Sequence, residues 1–562
     1  MTTIKIWRVA FLLTVVAILS ISCGGTAPAA DTDAVPGPEP EEGGEEASEE
    51  AEAEAGAADP TTLRVAMSAE YLGSILNPLN AHTYGVLPVL HERLVEATGV
   101  ISVKPALAES WEVSDDGKTW TLKIREGVTF HDGTPCTAED IAWSLNFMID
   151  NEFSATSAFV SGFVEATAPD PTTLVITTED PIRDLPQQRL TYCWILPRSV
   201  WEGLTYDEAV QYSEPDVMVG TGPYKAVEFK DSEYLVVEAF EDYWRGKPEI
   251  ERVVLQVYAN PDAAVQALLA GEIDLIETVS YTAIGALEGE ENITLVPVPA
   301  PIIHELTINM YEPGNGHKAL LDPDVRLAIA HATDKQQVVN VAYLGYAAPA
   351  TVHIPPAFGQ WHNPNMEDVP FDIAEGNRIL DEAGYLDTDD DGIRETPDGE
   401  PLEFSMVTDM GPTGIRALDV ISEGLGEIGI AAFPNEVNDI SELYPEFEFD
   451  LHYWWWWYDP SVDEPLRAHR CSELPDGWNE TGFCNEEYDD LYIKQNDPLV
   501  SDEERQEMIW RMQELFYNER GYVITAYVDI VYAYRNDRFT GFSDEFAPIF
   551  WPHTLLQIRP VQ

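Results

Sequence analysis

Basic residues are scarce in this chain. Of 562 residues, 31 are Lys or Arg and 100 are Asp or Glu, a formal net charge of -69 at pH 7. That balance counts against a nucleic-acid partner, because neutralising phosphates takes Lys and Arg. Cysteine is scarce too: five residues are too few for a disulfide scaffold. No Cys-x-x-Cys or His-x-x-x-His pair points to a transition metal, and the 11 histidines are scattered. Long apolar runs are missing after the amino terminus, so no later segment reads as a transmembrane helix. There is no nucleophile elbow and no Walker loop, and nothing among the acids singles out a hydrolytic pair. No catalytic residue is singled out, and no cofactor is required by any motif.

What is present is material for large cores. The sequence is 45% hydrophobic and 10% aromatic, and its length suggests two or three domains. Acidity spread over a folded surface repels itself at low ionic strength and is screened by salt, so it suits a salty exterior.

The amino terminus reads as a targeting segment. Lys5 and Arg8 precede an apolar run from Val9 to Leu19, which has the form of a signal peptide over residues 1–22. The run ends at Leu19-Ser20-Ile21-Ser22-Cys23-Gly24-Gly25, which resembles a bacterial lipoprotein box with Cys23 as the lipidated residue. Here the leucine lies four residues before the cysteine, where the usual box has it three before. Residues 23–60 are mostly Ala, Glu, Gly and Pro, which cannot bury enough surface to fold. They read as an acidic disordered tether.

One stretch stands out for recognition: Tyr453-Trp454-Trp455-Trp456-Trp457-Tyr458-Asp459-Pro460. A strand points successive side chains to opposite faces, so Trp454 and Trp456 share one face and Trp455 and Trp457 the other. Both faces are aromatic. At least one is expected to line a binding cleft, since Trp and Tyr dominate recognition surfaces. One pair is expected to meet ligand and the other the core; the family resemblance given below implies that the Trp456 face is the ligand side and the Trp457 face the core side.

Taken in order, Thr62 to Met67 reads as a first strand and Val86 to Val95 as a helix. Asp116-Gly117 reads as a hairpin turn, followed by Trp120, Leu122 and Ile124 alternating on one strand face. After a second turn at Asp132-Gly133, Thr137 caps a helix with Glu139 and Asp140 in its first turn. Near the carboxyl end, Met508, Met512, Leu515 and Phe516 recur with helical spacing behind Asp502, Glu503 and Glu504.

The segment Leu107 to Pro135 resembles the signature of the extracellular solute-binding proteins of family 5, the dipeptide-, oligopeptide- and nickel-binding components of ABC importers. Further matches follow in order: Gly220-Thr221-Gly222-Pro223-Tyr224, Tyr243 to Pro248, Ala263 to Asp274, Asp322 to Asp334, and Ala374 to Tyr385. The resemblance implies an α/β, two-lobed fold of the type II periplasmic-binding-protein kind with an extra subdomain in the first lobe. The first lobe is placed at residues 61–302 plus 529–562, with the subdomain at about 101–204, and the second lobe at 303–528. It further implies a monomer that captures a solute, a peptide first and an oligosaccharide as the alternative. The solute would pass to ABC permease and ATPase subunits at the outer face of the cell membrane. In oligopeptide-binding members an Asp four residues before the proline pairs with the peptide amine; here that position is Trp456. Tyr71, Tyr84, Trp454, Trp456 and Asp459 are the ligand-binding candidates.

Two loops complete the set. Asp387, Asp389, Asp391 and Asp398 fall at positions 1, 3, 5 and 12 of a calcium-type loop, with Gly392 at position 6. They are the candidate Ca2+ ligands, weighed against a plain solvated turn. Cys471 and Cys484 lie in a loop rich in Gly, Pro and Asn and are expected to form a disulfide in an exported protein. The pairing of Cys136 and Cys193 stays open.

Overall fold

The computed structural model describes residues 59–67, 76–79, 86–458, 460–475, 477–543 and 550–561. Cys23, the tether up to residue 58, Tyr71, Tyr84 and Asp459 lie outside the described residues. No helix among the described residues is long and apolar enough to cross a membrane.

One 11-stranded mixed sheet organises the chain, and two long strands run through its middle, Ile293–Ile308 and Tyr522–Arg535. They are antiparallel, and their register shifts between Pro299 and Ile303. On one side of the pair lie Leu275–Ile276, Thr62–Met67, Arg252–Val257, Tyr234–Ala239 and Tyr224–Lys230; on the other lie Leu451–Trp457, Glu403–Thr408 and Ala431–Glu436. The cores divide along the same strands. Val298, Val531, Tyr532 and Ala533 pack with the first lobe, and Ala300, Ile302, Ala526 and Val528 with the second.

The subdomain is a four-stranded sheet, Ala108–Val113, Thr119–Ile124, Thr173–Thr178 and Phe163–Asp170 in spatial order, backed by helix Ala138–Asn151. The hairpin turns at Gly117, whose φ of 70° favours glycine. Trp120, Leu122 and Ile124 all face the core. Asp140 closes a capping box on Thr137. The core extends beyond the strands, from Leu79 and Leu94 to Val217.

One expectation is corrected. Val86 to Val95 is not a helix: only Leu87–Leu90 makes one turn, and Val95–Ala97 is a strand. Leu90, Arg93 and Leu94 instead give their carbonyls to Gly222, Leu107 and Ala108, so long-range pairing replaces the helical ladder. The expected helix is there as Asp502–Glu519, with Met512 and Phe516 buried and Leu515 packed against the same core; its buried face also takes in Arg505, Ile509 and Gln513. Arg505 and Gln513 are buried because they have partners there (Asp184 and Gln495; Asn363 and Trp361), which an apolar count misses.

Candidate functional site

The tryptophans sit on an edge that forms part-way along their strand. Ile302 to Ile308 pair antiparallel with Trp457 back to Leu451 along the whole length. On the other side, Glu403–Thr408 pairs only with Leu451 and His452. From Tyr453 onward the strand has a single hydrogen-bonded neighbour, so aromatic faces that would otherwise be covered reach solvent.

The two faces differ from the expectation. Tyr453 is buried and hydrogen-bonds Tyr343 and Thr525, but Trp455 and Trp457 beyond it are 38% and 37% exposed. The Trp457 face is therefore not core. Trp454 and Trp456 are half-buried. Their rings meet at 5.8 Å edge to face, and Trp456 stacks on Tyr458 at 6.2 Å.

Two loops wall this second face. Tyr444 and Phe447 come from the turn before the strand; Tyr444 stands edge to face with Trp454 at 6.5 Å. Pro475, Gly477, Trp478 and Glu480 come from the loop closed by a Cys471–Cys484 disulfide. Asn479 ties that loop down by donating to the Arg470 and Phe483 carbonyls. Together the walls and the tryptophans enclose about 390 Å³.

Carboxylates underlie the aromatic walls. Glu480 Oε1 accepts from Trp456 Nε1 at 2.8 Å and from the Tyr522 hydroxyl at 2.6 Å. His452 Nε2 stands 3.4 Å from Oε2, at ion-pair distance without hydrogen-bond alignment. Burial raises the Glu480 pKa, but His452 and the hydroxyl donors outweigh it and hold the group below its ordinary value. Glu305 lies opposite Trp454 in the sheet and is fully buried. Neither of its oxygens finds a hydrogen-bond partner among the described residues. Burial, with Glu480 adding repulsion, pushes its pKa well above the usual carboxylate range. The sequence analysis missed both acids. Glu305 had a signal: it is the one charge in Ile302-Ile303-His304-Glu305-Leu306.

A second cavity of about 190 Å³ opens at the carboxyl ends of the parallel strands Thr62–Met67, Arg252–Val257 and Leu275–Ile276. Open α/β sheets bind ligands at this edge. Tyr258, Glu277 and Ser280 supply its polar groups, and burial pushes Glu277 up to about 7.

In the acidic loop, ligand oxygens of Asp387, Asp389 and Asp391 converge within 4.8 Å of one another, and Glu395 is their fourth member. Asp398 is not. Thr396 to Glu400 form a separate tight turn, with Gly399 at φ 85°, which carries Asp398 away, while Glu395 reaches back to the Thr388 amide. Cys136 and Cys193 are buried free thiols, and the Cys193 thiol donates to the Phe159 carbonyl.

Residues 102–473 match the family described as bacterial extracellular solute-binding proteins, family 5. The chain belongs to that family. It is 24% identical over 461 residues to di/tripeptide-binding protein 2 of Pseudomonas aeruginosa, covering 77% of this chain and 82% of that one. It is 30% identical over 292 residues to the glutathione-binding protein of Escherichia coli K12, and that alignment spans about half of each protein (51% and 54%). Among solved structures, the periplasmic oligopeptide-binding protein of Thermotoga maritima superposes with a TM-score of 0.78 at 21% identity, covering 90% of this chain and 100% of that one. The same protein with mannohexaose bound gives 0.72 at 21% identity, covering 89% and 99%. The fold is therefore the two-lobed solute-binding fold.

Proposed function

We propose that this family 5 protein is the solute-capturing subunit of an ABC importer and that its solute is a peptide. Ligand contacts with both lobes exist only when they close, so binding shifts the population towards the closed state. The carrying observation is the half-open tryptophan edge strand with its walled chamber of about 390 Å³, the size expected of a small-molecule site. The cavity at Glu277 is the first-lobe counterpart. The peptide assignment is supported by what the relatives from Pseudomonas aeruginosa and Thermotoga maritima are described as binding. An oligosaccharide is the second reading, favoured by exposed Trp455 and Trp457 as stacking planes and by the mannohexaose complex. Mass spectrometry of ligand retained on purified protein, then calorimetry with peptides and oligosaccharides, separates the two. Trp456→Ala is expected to weaken binding of the retained ligand several-fold, since aromatic contacts contribute about 0.5–1.5 kcal/mol beyond area burial. Unchanged affinity would remove Trp456 from the site.

The same reading places the protein outside the cytoplasm, anchored through lipidated Cys23 and working with a permease and ATPase. For the acidic loop we propose Ca2+ on Asp387, Asp389, Asp391 and Glu395. Millimolar calcium is expected to raise the melting temperature by linkage and chelator to reverse it. Asp391→Ala should abolish the shift and Asp398→Ala should not; no shift in the wild type would leave a plain turn.

A further inference from the structure

We propose that Arg189, Arg467 and Arg470 hold a small inorganic anion, chloride at its simplest, where the turn Pro186–Leu190 meets residues 463–470. The site is independent of which solute the chamber takes.

Three observations carry the inference. First, these guanidiniums lack counter-charges on a chain rich in acids. Arg64, Arg245, Arg505 and Arg538 are mostly buried, and each pairs with a carboxylate. Among the described residues, the side chains of Arg189, Arg467 and Arg470 make no hydrogen bond and no ion pair, and the Nε of each is buried without a partner. Arginine does not shed its proton in a protein, so the cost of an unpaired charge stays in place. Second, the three gather around one acid. Burial lowers the Arg189 pKa, Asp463 raises it and Arg467 lowers it further, so these groups stand together. Tyr492 joins them: its hydroxyl donates to Asp463 Oδ1 at 2.8 Å, and the Arg470 guanidinium lies 4.6 Å from its ring centre. Burial holds the Tyr492 phenol well above its ordinary pKa and pushes the Cys193 thiol beside Arg189 up to about 12, so neither supplies a negative charge. Asp463 is the acid that meets the cluster; its neighbour Glu464 lines the chamber instead. One carboxylate against three cations leaves room for an anion. Third, the cluster stands behind the chamber wall. Trp478 is part of that wall, the Arg467 guanidinium lies 4.5 Å from its ring centre, and none of the three arginines lines the chamber. A ring against a guanidinium plane leaves the N–H edge, the part an anion takes, uncovered. A solute seated on the tryptophans therefore does not reach these edges, and a free anion does. The salty exterior that suits so acidic a chain supplies one.

The test uses the full chain, with sodium and ionic strength held constant while chloride replaces gluconate. Chloride NMR line width reports bound anion directly, and the melting temperature reports it by linkage. Protein-dependent broadening that saturates is expected, with melting at least about 1 °C higher in chloride, a small shift because the chain is long. Arg189→Gln, Arg467→Gln and Arg470→Gln should each abolish the broadening and the shift. In gluconate, Arg189→Gln should melt no lower than wild type, because it removes a repulsion and breaks no hydrogen bond among the described residues. Should the other two variants misfold, Arg189→Gln decides alone. Asp463→Asn removes the competing charge and keeps an acceptor for Tyr492, so it should tighten chloride binding. No broadening in the wild type, or broadening that survives Arg189→Gln, overturns the site. Peptides with free and amidated carboxyl termini are then added to the chloride-loaded protein. If the free acid displaces chloride and the amide does not, the counter-charge belongs to the solute and the free-anion site falls. Chloride retained with both peptides supports it, whether or not either peptide binds in the chamber.

Discussion

Arg505→Ala is expected to destabilise the protein by about 3–5 kcal/mol, read as a lower denaturant midpoint, because it strands one half of a buried ion pair. Arg505 is 2% exposed at its side chain and forks onto Asp184, with Nη1 to Oδ1 at 2.9 Å and Nη2 to Oδ2 at 2.5 Å. Its Nε donates to Gln495, and its guanidinium lies 4.8 Å from the Trp361 ring centre. A bidentate pair of this kind is stronger than a single neutral hydrogen bond. The adjacent pair makes an internal control. Arg183 bonds Asp502 at 2.8 Å, but the Asp502 side chain is 68% exposed. Exposed pairs contribute only about 0–1 kcal/mol, so Asp502→Ala should cost no more than that. Equal effects would refute the burial argument. The fork ties Asp184, 321 residues away in sequence, to the helix Asp502–Glu519.

The elements legible in the sequence are those specified locally. Thr62–Met67, the Gly117 hairpin and the Thr137 capping box each follow from a few adjacent residues, and the structure has them. The region from Val86 to Val95 was not legible, because its carbonyls bond residues as distant as Gly222. The aromatic strand was legible as alternating, but not which face is covered. That depends on Glu403–Thr408 stopping its pairing at His452, a fact of tertiary register. The site was only partly legible for a similar reason. Trp454 and Trp456 announce themselves, whereas Glu480 becomes an acid of the chamber only when a loop closed at Cys471 and Cys484 folds over them. In the acidic loop a fixed spacing suggested Asp398, and a second turn put Glu395 there instead.

Acid should unfold this protein steeply, and the onset should lie below about pH 4.5 rather than at the histidine range. Buried neutral histidines set the driving force. Burial lowers His91, His304 and His353 to about 3, His131 to about 4 and His469 well below the ordinary value. Each remains unprotonated in the folded state while the unfolded chain takes up a proton below about 6.5. Stability therefore falls as pH drops from 6.5 towards the folded pKa, by roughly 1.4 kcal/mol per unit per histidine. Carboxylates raised by desolvation, two of them buried and Glu277 half-buried, act in the opposite sense. Glu92 and Glu277 are raised to about 7, and burial holds Glu305 well above its ordinary value. They bind protons in the folded state between about 7 and 4.5 while the unfolded chain does not, so stability gained there offsets much of the histidine loss. Below 4.5 the unfolded carboxylates are protonated too and the compensation ends. Glu96, held at about 2 by its His553 and Arg245 partners against the effect of burial, then adds its own loss. With several groups contributing at once, each pH unit below that point removes several kcal/mol, comparable with a whole domain's stability of about 5–15 kcal/mol. Circular dichroism against pH should show a plateau to about 4.5 and a cooperative loss before pH 3. His353→Phe, which keeps an aromatic ring without a titrating nitrogen, should move the midpoint down. A gradual loss beginning near pH 6.5 would mean that the carboxylates do not compensate, and an unmoved midpoint in His353→Phe would take that histidine out of the account.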